Sequence, residues 1–426
     1  MPHWKRNLVV LCVVQTLTMV AFSSYFSLVP YYLLELGAGG TAQATAWTAI
    51  YGTGSALAMM ISAPMWGSLG DRRGRKLMLT RATLSGTVTI CVLYFVRSPA
   101  QLVTVRIVQG FFGGTIAAAT TLVATETPEQ HLGASLGILL MLQSAARAVG
   151  PLLGGITADA LGLRMVFPIS AVMTFLAFLS AVLLVRERAP VRAPKRDRPG
   201  LRLGHEMLGA VTGRSVLALL AVRAILGFAI TVLSPVLSLY ILSLSPDSPR
   251  IATLAGAVSS AAALTTAVSA LLMGRLADRV GPKAVLVVCG LGVALTYVPQ
   301  ALVRSPTQLL VMRAIQGIFA GGIASTSTAL LARGAQSSRR GTVLGLGASA
   351  RAAGRAIGPL VGAASANLWG MPSVFLVTAG AYALMSLMVS VLVRPQAEPV
   401  SMTVEETAVP IASESETAGE HPRCSS

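Results

Sequence analysis

The stretch Gly67–Lys76, GSLGDRRGRK, lies between two long apolar runs and returns as Gly274–Lys283, GRLADRVGPK. At a shift of 207 residues, from Gly67 to Gly274, the copies share Gly67/Gly274, Leu69/Leu276, Asp71/Asp278, Arg72/Arg279, Gly74/Gly281 and Lys76/Lys283. The match continues downstream. Arg106 and Gln109-Gly110 return as Arg313 and Gln316-Gly317 at the same shift, and Arg147-Ala148-Val149-Gly150-Pro151-Leu152 returns one residue later, as Arg355-Ala356-Ile357-Gly358-Pro359-Leu360. A repeat of about half the 426 residues makes two related halves.

Outward from the two copies the chain is apolar. Hydrophobic residues make up 54% of it and charged residues 12%, with mean hydropathy +0.71, too little polar surface to clothe a water-soluble chain of this length. Runs of roughly 20 apolar residues cross a hydrocarbon core of about 30 Å as helices. Such runs fall at 8–34, 42–65, 77–96, 101–124, 132–158 and 164–185, and again at 215–243, 251–273, 284–303, 308–331, 341–366 and 372–393. The first is longer than the apolar core of a signal peptide and is read as a span. The expected fold class is an all-α membrane protein, twelve transmembrane helices in two pseudo-symmetric six-helix halves. Halves of like orientation imply a two-fold axis along the membrane normal and a central site between them.

The expected organisation is a first half at 1–185, a basic linker at 186–214, a second half at 215–393 and an acidic tail at 394–426 whose composition predicts disorder. A formal charge of +17 points to nucleic acid in a soluble chain. Here the Lys and Arg gather at the N-terminus, in the linker and in loops on one side of the spans, which the positive-inside rule assigns to the cytoplasm together with both termini. Cys12, Cys91, Cys289 and Cys424 have no metal-ligand spacing, the four histidines are scattered, and no phosphate-binding loop of GxxxxGK[ST] type occurs. The reading is not an enzyme, with no metal, cofactor or nucleic acid.

The repeated motifs resemble those of the major facilitator superfamily. Gly67, Leu69, Gly70, Asp71, Arg72, Gly74, Arg75, Lys76 and Leu79 are similar to its GxLaDrxGrkxxl signature between spans two and three, and Leu102, Arg106, Gln109 and Gly110 resemble its span-four motif. Ala146-x-x-x-Gly150-Pro151-x-x-Gly154-Gly155 resembles the GxxxGPxxGG motif of proton-coupled exporters, with Ala146 in place of its first Gly. Together they are similar to the twelve-span drug:proton antiporter branch, which includes bacterial multidrug and tetracycline exporters. The resemblance implies a multi-pass inner-membrane transporter working by alternating access, monomeric, exporting drugs or amphiphilic secondary metabolites against proton influx. An importer or facilitator of an organic anion or sugar is the alternative on the same scaffold. The expected partners are a small amphiphilic substrate, protons and the lipid bilayer.

The resemblance further implies that Asp71, with Arg75, latches the halves on the cytoplasmic side, and that Asp278 is a weaker relic because Pro282 replaces the equivalent of Arg75. It implies that the span containing Gly150, Pro151, Gly154 and Gly155 bends at the proline and seals against leak; small residues at i, i+4 also simply let helices pack closely. Pro30 and Pro235 are expected kinks.

Arg106, Arg147, Arg223, Arg313, Arg351 and Arg355 fall within spans, where charge is expensive. Arg106 lies near the outer start of its span, within snorkelling reach. All 16 Asp and Glu lie outside span interiors, so no mid-membrane carboxylate neutralises these arginines. Arg147, Arg351 and Arg355 therefore stand either as anchors for an anionic or neutral amphiphile or as donors to backbone carbonyls, Gln143 or Gln316 that shape helices. Glu35, Glu126 and Asp159, at span ends, are with Asp71 the remaining candidates for proton coupling.

Overall fold

The computed structural model describes residues 2–187, 214–334 and 340–393. Apart from 186, 187 and 214, the linker and tail expectations lie outside the described residues. The first half is built from α1 (His3–Phe26), α2 (Val29–Glu35), α3 (Thr41–Arg73), α4 (Arg75–Phe95), α5 (Pro99–Phe111), α6 (Thr115–Glu126), α7 (Glu129–Leu161) and α8 (Val166–Leu184). The second comprises α9 (Arg214–Val232), α10 (Leu237–Leu244), α11 (Ile251–Val280), α12 (Pro282–Gln300), α13 (Pro306–Gly334), α14 (Arg340–Trp369) and α15 (Ser373–Leu392). Residues 2–393 belong to one compact unit.

Twelve crossings result. Ten segments are long and apolar enough to span a membrane. The other two crossings, α3 and α14, are long enough but more polar, and they pack on each other across the halves. The second seam pairs α7 with α11.

Among the described residues three crossings are broken, two of them beside the expected kinks at Pro30 and Pro235 and one where a continuous helix was expected. The α1/α2 break precedes Pro30 in the first turn of α2, and the α9/α10 break contains Pro235, as expected of a residue that cannot donate a backbone hydrogen bond. The third, between α5 and α6, interrupts the expected 101–124 span at Phe112–Gly114, with Gly114 at φ 119°. Its counterpart α13 runs unbroken from Pro306 to Gly334.

The opening motif is also placed differently. With 33 residues, α3 extends about 50 Å at about 1.5 Å per residue. Its last turns carry Gly67–Arg73, so this part is helix and not loop. The chain turns at Gly74, φ 99°, and at the equivalent Gly281, φ 89°, a backbone region that disfavours any side chain.

Each half has the same buried centre. The Tyr32 hydroxyl donates to the Leu93 carbonyl at 3.1 Å and its ring packs on Phe167, while the Tyr240 hydroxyl donates to the Gln300 carbonyl at 3.4 Å and its ring packs on Phe375. At the motif, Lys76 Nζ donates to the Val182 carbonyl at 2.8 Å and Lys283 Nζ to the Ser390 carbonyl at 3.0 Å. The repeat in sequence is a repeat in contacts.

Candidate functional site: the seam between the halves and its hinge

Gly74 is the N-cap of α4, whose first amides have no partner inside the helix. Glu187, just beyond α8, supplies both: its carboxylate accepts from Arg75 N at 2.8 Å and Lys76 N at 2.9 Å. The anion sits at the positive end of the helix dipole. The second half has Pro395 at that place in the repeat, outside the described residues. Asp71 is the third residue from the end of α3, and its side chain lies outside the described set; Arg72 is exposed beside it, and Asp278 and Arg279 occupy the matching turn of α11.

The span-four motif is a buried network. The Arg106 guanidinium donates to Gln109 Oε1, which also accepts from the Tyr25 hydroxyl at 3.1 Å, while Gln109 Nε2 donates to Thr89 Oγ1 at 2.9 Å. Arg106 also lies over the Tyr51 ring, 5.1 Å from its centre. The arginine is thus turned inward, which corrects the snorkelling expectation: a neutral acceptor and ring faces meet it inside the protein, with its Nε buried and unpartnered. Gly110 packs on the backbone of Ser55. In the second half Arg313 donates to Gln316 Oε1 at 3.2 Å and to the Tyr297 hydroxyl at 3.3 Å.

The GxxxGP-like segment of α7 holds two elements at once. A Cβ on Gly150 would meet Val20 and Ser23, one on Gly154 would meet the Ser24 backbone of α1, and one on Gly155 would meet the backbone of Ala252 and Thr253 in α11. The Pro151 carbonyl occupies the space a side chain on Gly256 would need. Close approach here joins the halves.

Ties between the halves cluster at the end opposite the hinge. The Tyr31 hydroxyl donates to the Ser238 carbonyl at 2.7 Å, Ser238 Oγ to the Ser27 carbonyl at 2.5 Å, and Thr53 Oγ1 to the Ala356 carbonyl at 2.7 Å. Asp159 caps α11 from across the seam, accepting from Ala252 N at 3.2 Å and Thr253 N at 2.7 Å. At the hinge end, Met59, Met60, Ile61 and Met65, which point to most sides of α3, are all exposed. The described ties hold the halves together away from the hinge.

The candidate arginines meet at this seam. On α7, Arg147 is exposed in this conformer. On α14, Ile357, Leu360 and Leu368 mark the outward face and Arg351 and Arg355 the opposite one. Arg355 lies within electrostatic reach of both Arg351 and Arg147, and Arg223 of α9 within reach of Arg351. Arg223 is buried and donates to Thr328 Oγ1 at 2.8 Å; the Nε of Arg351 is buried without a partner. Gln143 donates its Nε2 to Gln15 Oε1 at 3.4 Å and keeps its own Oε1 buried without a partner, while Gln316 accepts from Arg313.

The candidate acids separate. Glu35 pairs with Arg164 at 3.1 Å in an exposed bridge, Asp159 is the cap just described, and Glu126 closes α6. Missed by the sequence reading is Arg81, which falls inside α4, stacks on Trp66 with its guanidinium carbon 3.6 Å from the ring centre, and donates to the Gly113 carbonyl at 3.1 Å. Its signal was available: the repeat places Val288 opposite it.

The family model described as Major Facilitator Superfamily matches residues 11–244 and 219–418. The chain is 32% identical to the multidrug resistance protein MdtG of Salmonella typhimurium over 378 residues, 89% of this chain and 93% of that protein. It is 33% identical to MdtG of Klebsiella pneumoniae, over 89% of this chain and 91% of the relative. Its fold is similar to the crystal structure of the nucleoside transporter NupG, with TM-score 0.75 and 14% identity over 92% of this chain and all of that one.

Proposed function

The chain belongs to the Major Facilitator Superfamily and is an integral-membrane secondary transporter; from that premise we propose that it exports drug-like amphiphiles from the cytoplasm in exchange for protons, across the inner membrane and as a monomer. The observation that carries the direction is the likeness to multidrug resistance proteins along nearly the whole chain. With the basic hinge and both termini in the cytoplasm, the conformer described above is the inward-facing one, its seam sealed on the outside by Tyr31, Ser238, Asp159 and the close-packed glycines of α7. Alternating access then needs a second state, closed at the hinge, in which Asp71 with Arg72, Arg75 and Lys76, and Asp278 more weakly, latches the halves.

The arginine cluster favours a negative group on the substrate. Arg147, Arg351 and Arg355 are brought together from both halves and face no carboxylate among the described residues, so a carboxylate or phosphate entering the seam lowers their mutual repulsion. Protons are carried by carboxylates outside the span interiors in this reading, with Asp71 and Glu126 on the cytoplasmic side.

The test is proton flux in inside-out vesicles acidified inside, on addition of ethidium, Nile red or fluorescein as cationic, neutral and anionic probes. Alkalinisation of the lumen on adding a probe, absent with Asp71→Asn, is expected, with fluorescein most effective. Correctly inserted protein that answers none of them with proton movement, yet equilibrates one passively, replaces export by facilitated transport.

A further inference from the structure

The two halves repeat one another in fold, in hinge and in buried network, yet only the first contains a break in its fourth crossing. A helix break frees carbonyls that an apolar environment cannot satisfy. Around the break the Gly114 carbonyl accepts from Ala118 N at 3.0 Å, and four of its neighbours are met by side chains from other elements. Trp66 Nε1 of α3 donates to the Phe111 carbonyl at 2.7 Å, Ser85 Oγ of α4 to Phe112 at 3.3 Å, Arg81 of α4 to Gly113 at 3.1 Å, and Gln15 Nε2 of α1 to Thr115 at 2.9 Å. At the corresponding positions of the second half stand Met273 for Trp66, Val288 for Arg81 and Gly292 for Ser85. There Ser269 donates to the Ile318 carbonyl, and α13 is unbroken. Three of the four donor positions lose their donor together with the break, and the fourth, Gln15, is matched by Arg223.

The donors also lie on a connected line. Gln143 sits one helical turn before Arg147 and donates to Gln15 at 3.4 Å; Gln15 holds α6 just past the break; Arg81 holds the break itself and stacks on Trp66, the residue directly before Gly67 of the hinge. We propose that Arg81 is a positioning residue for transport: clamped between Trp66 and the Gly113 carbonyl, it lets α6 pivot on α5 and passes movement at the arginine-lined seam to the Gly67–Lys76 hinge.

A continuous helix can respond to the seam only as a rigid rod, whereas two half-helices held by a planar guanidinium can change their angle while keeping their bonds. The rest of the guanidinium points to a second arrangement. Arg81 Nε and Nη1 are buried and have no partner in this conformer, an under-satisfied charge that costs free energy here and that a changed α5/α6 angle can relieve. That is the bistable element a coupling between two sites requires.

The inference rests on the transport reading, and its test separates the two. Spin labels at Ser68→Cys and Val280→Cys, in protein lacking the native cysteines and reconstituted in lipid, report the separation of the hinge ends without any substrate. The unmutated sequence is expected to sample a parted and a closed distance, and Arg81→Met and Trp66→Phe to collapse onto one of them, whereas Val288→Ala keeps both. For whichever probe is carried, Arg81→Met is expected to lower turnover about tenfold with KM held within about threefold, and Arg81→Lys, which keeps the charge but loses the fork and the ring stack, to fall between. Two distances retained in both variants, or turnover and KM failing together in Trp66→Phe protein that elutes as a folded monomer, overturn the proposal. If Arg81→Met does not fold, the Trp66→Phe distances decide. Transport of no probe by the unmutated protein counts against the export reading alone, and the distance measurement still decides this one.

Discussion

At the residue scale the chain's charges divide by whether the fold gives them a partner. Arg106 and Arg313 are answered by Gln109 and Gln316. Glu187 and Asp159 spend their charge on helix amides far away in sequence. The seam cluster faces no carboxylate among the described residues, and the repeat explains its sign: where the first half has Gln15 and Gln143, the second has Arg223 and Arg351. The second half therefore supplies more of the positive field. Removing the deep pair with Arg147→Gln, Arg355→Gln removes the charge-assisted contacts, each worth about 1.5–3 kcal/mol, so fluorescein flux should fall at least about tenfold while ethidium flux stays within about threefold. Equal loss for both dyes at equal protein level would mean that these arginines shape helices and do not touch substrate. None of the cap roles was legible beforehand, because a carboxylate that meets an amide more than 90 residues away leaves no spacing to read. The span arginines were legible because charge inside an apolar run is visible without a structure, and Arg81 escaped only because it lies so close to the basic hinge.

At the scale of elements, crossings were readable from hydropathy and the kinks at Pro30 and Pro235 from the prolines, while the break at Phe112–Gly114 was not. Hydropathy does not register that Phe112–Gly114 leaves the helix, since the residues around it are apolar on both sides; the decisive features are side-chain donors on α1, α3 and α4. The same holds for close approach. Gly154 and Gly155 lie next to one another in α7, and the fold uses one against α1 and the other against α11. Adding a methyl at Gly154 drives it into the Ser24 backbone, which cannot swing aside, so Gly154→Ala should cost about 1–3 kcal/mol. Gly133→Ala and Gly137→Ala, where a Cβ meets nothing, should be neutral or gain up to about 1 kcal/mol in helix propensity. Thermal unfolding of the three purified variants in one detergent orders them, and a Gly154→Ala protein as stable as Gly137→Ala would contradict the packing assigned to α7.

For the whole molecule, the pseudo-two-fold axis makes the α3/α14 and α7/α11 seams counterparts, but they are not sealed alike. Of the two, α7/α11 carries the ionic tie, Asp159 on the first turn of α11, where the carboxylate meets two backbone amides and the helix dipole together. The proton-carrier expectation for Asp159 thus gains a competing role, since this acid ties α7 to α11 across the seam. Neutralising it with Asp159→Ala forfeits bonds worth about 1.5–3 kcal/mol to the closed state and none to a state in which the halves have parted. The balance should move about ten- to a hundredfold toward the outward-open form. Ser27, between α1 and α2, lies at another tie between the halves, its carbonyl bonded to Ser238 of α10. In a background without Cys12, Cys91, Cys289 and Cys424, a membrane-impermeant thiol reagent applied from outside should label Ser27→Cys at least about tenfold faster when Asp159 is Ala. Labelling at the same rate in both would show that the close-packed glycines of α7 hold the outer side on their own, and that Asp159 only finishes a helix.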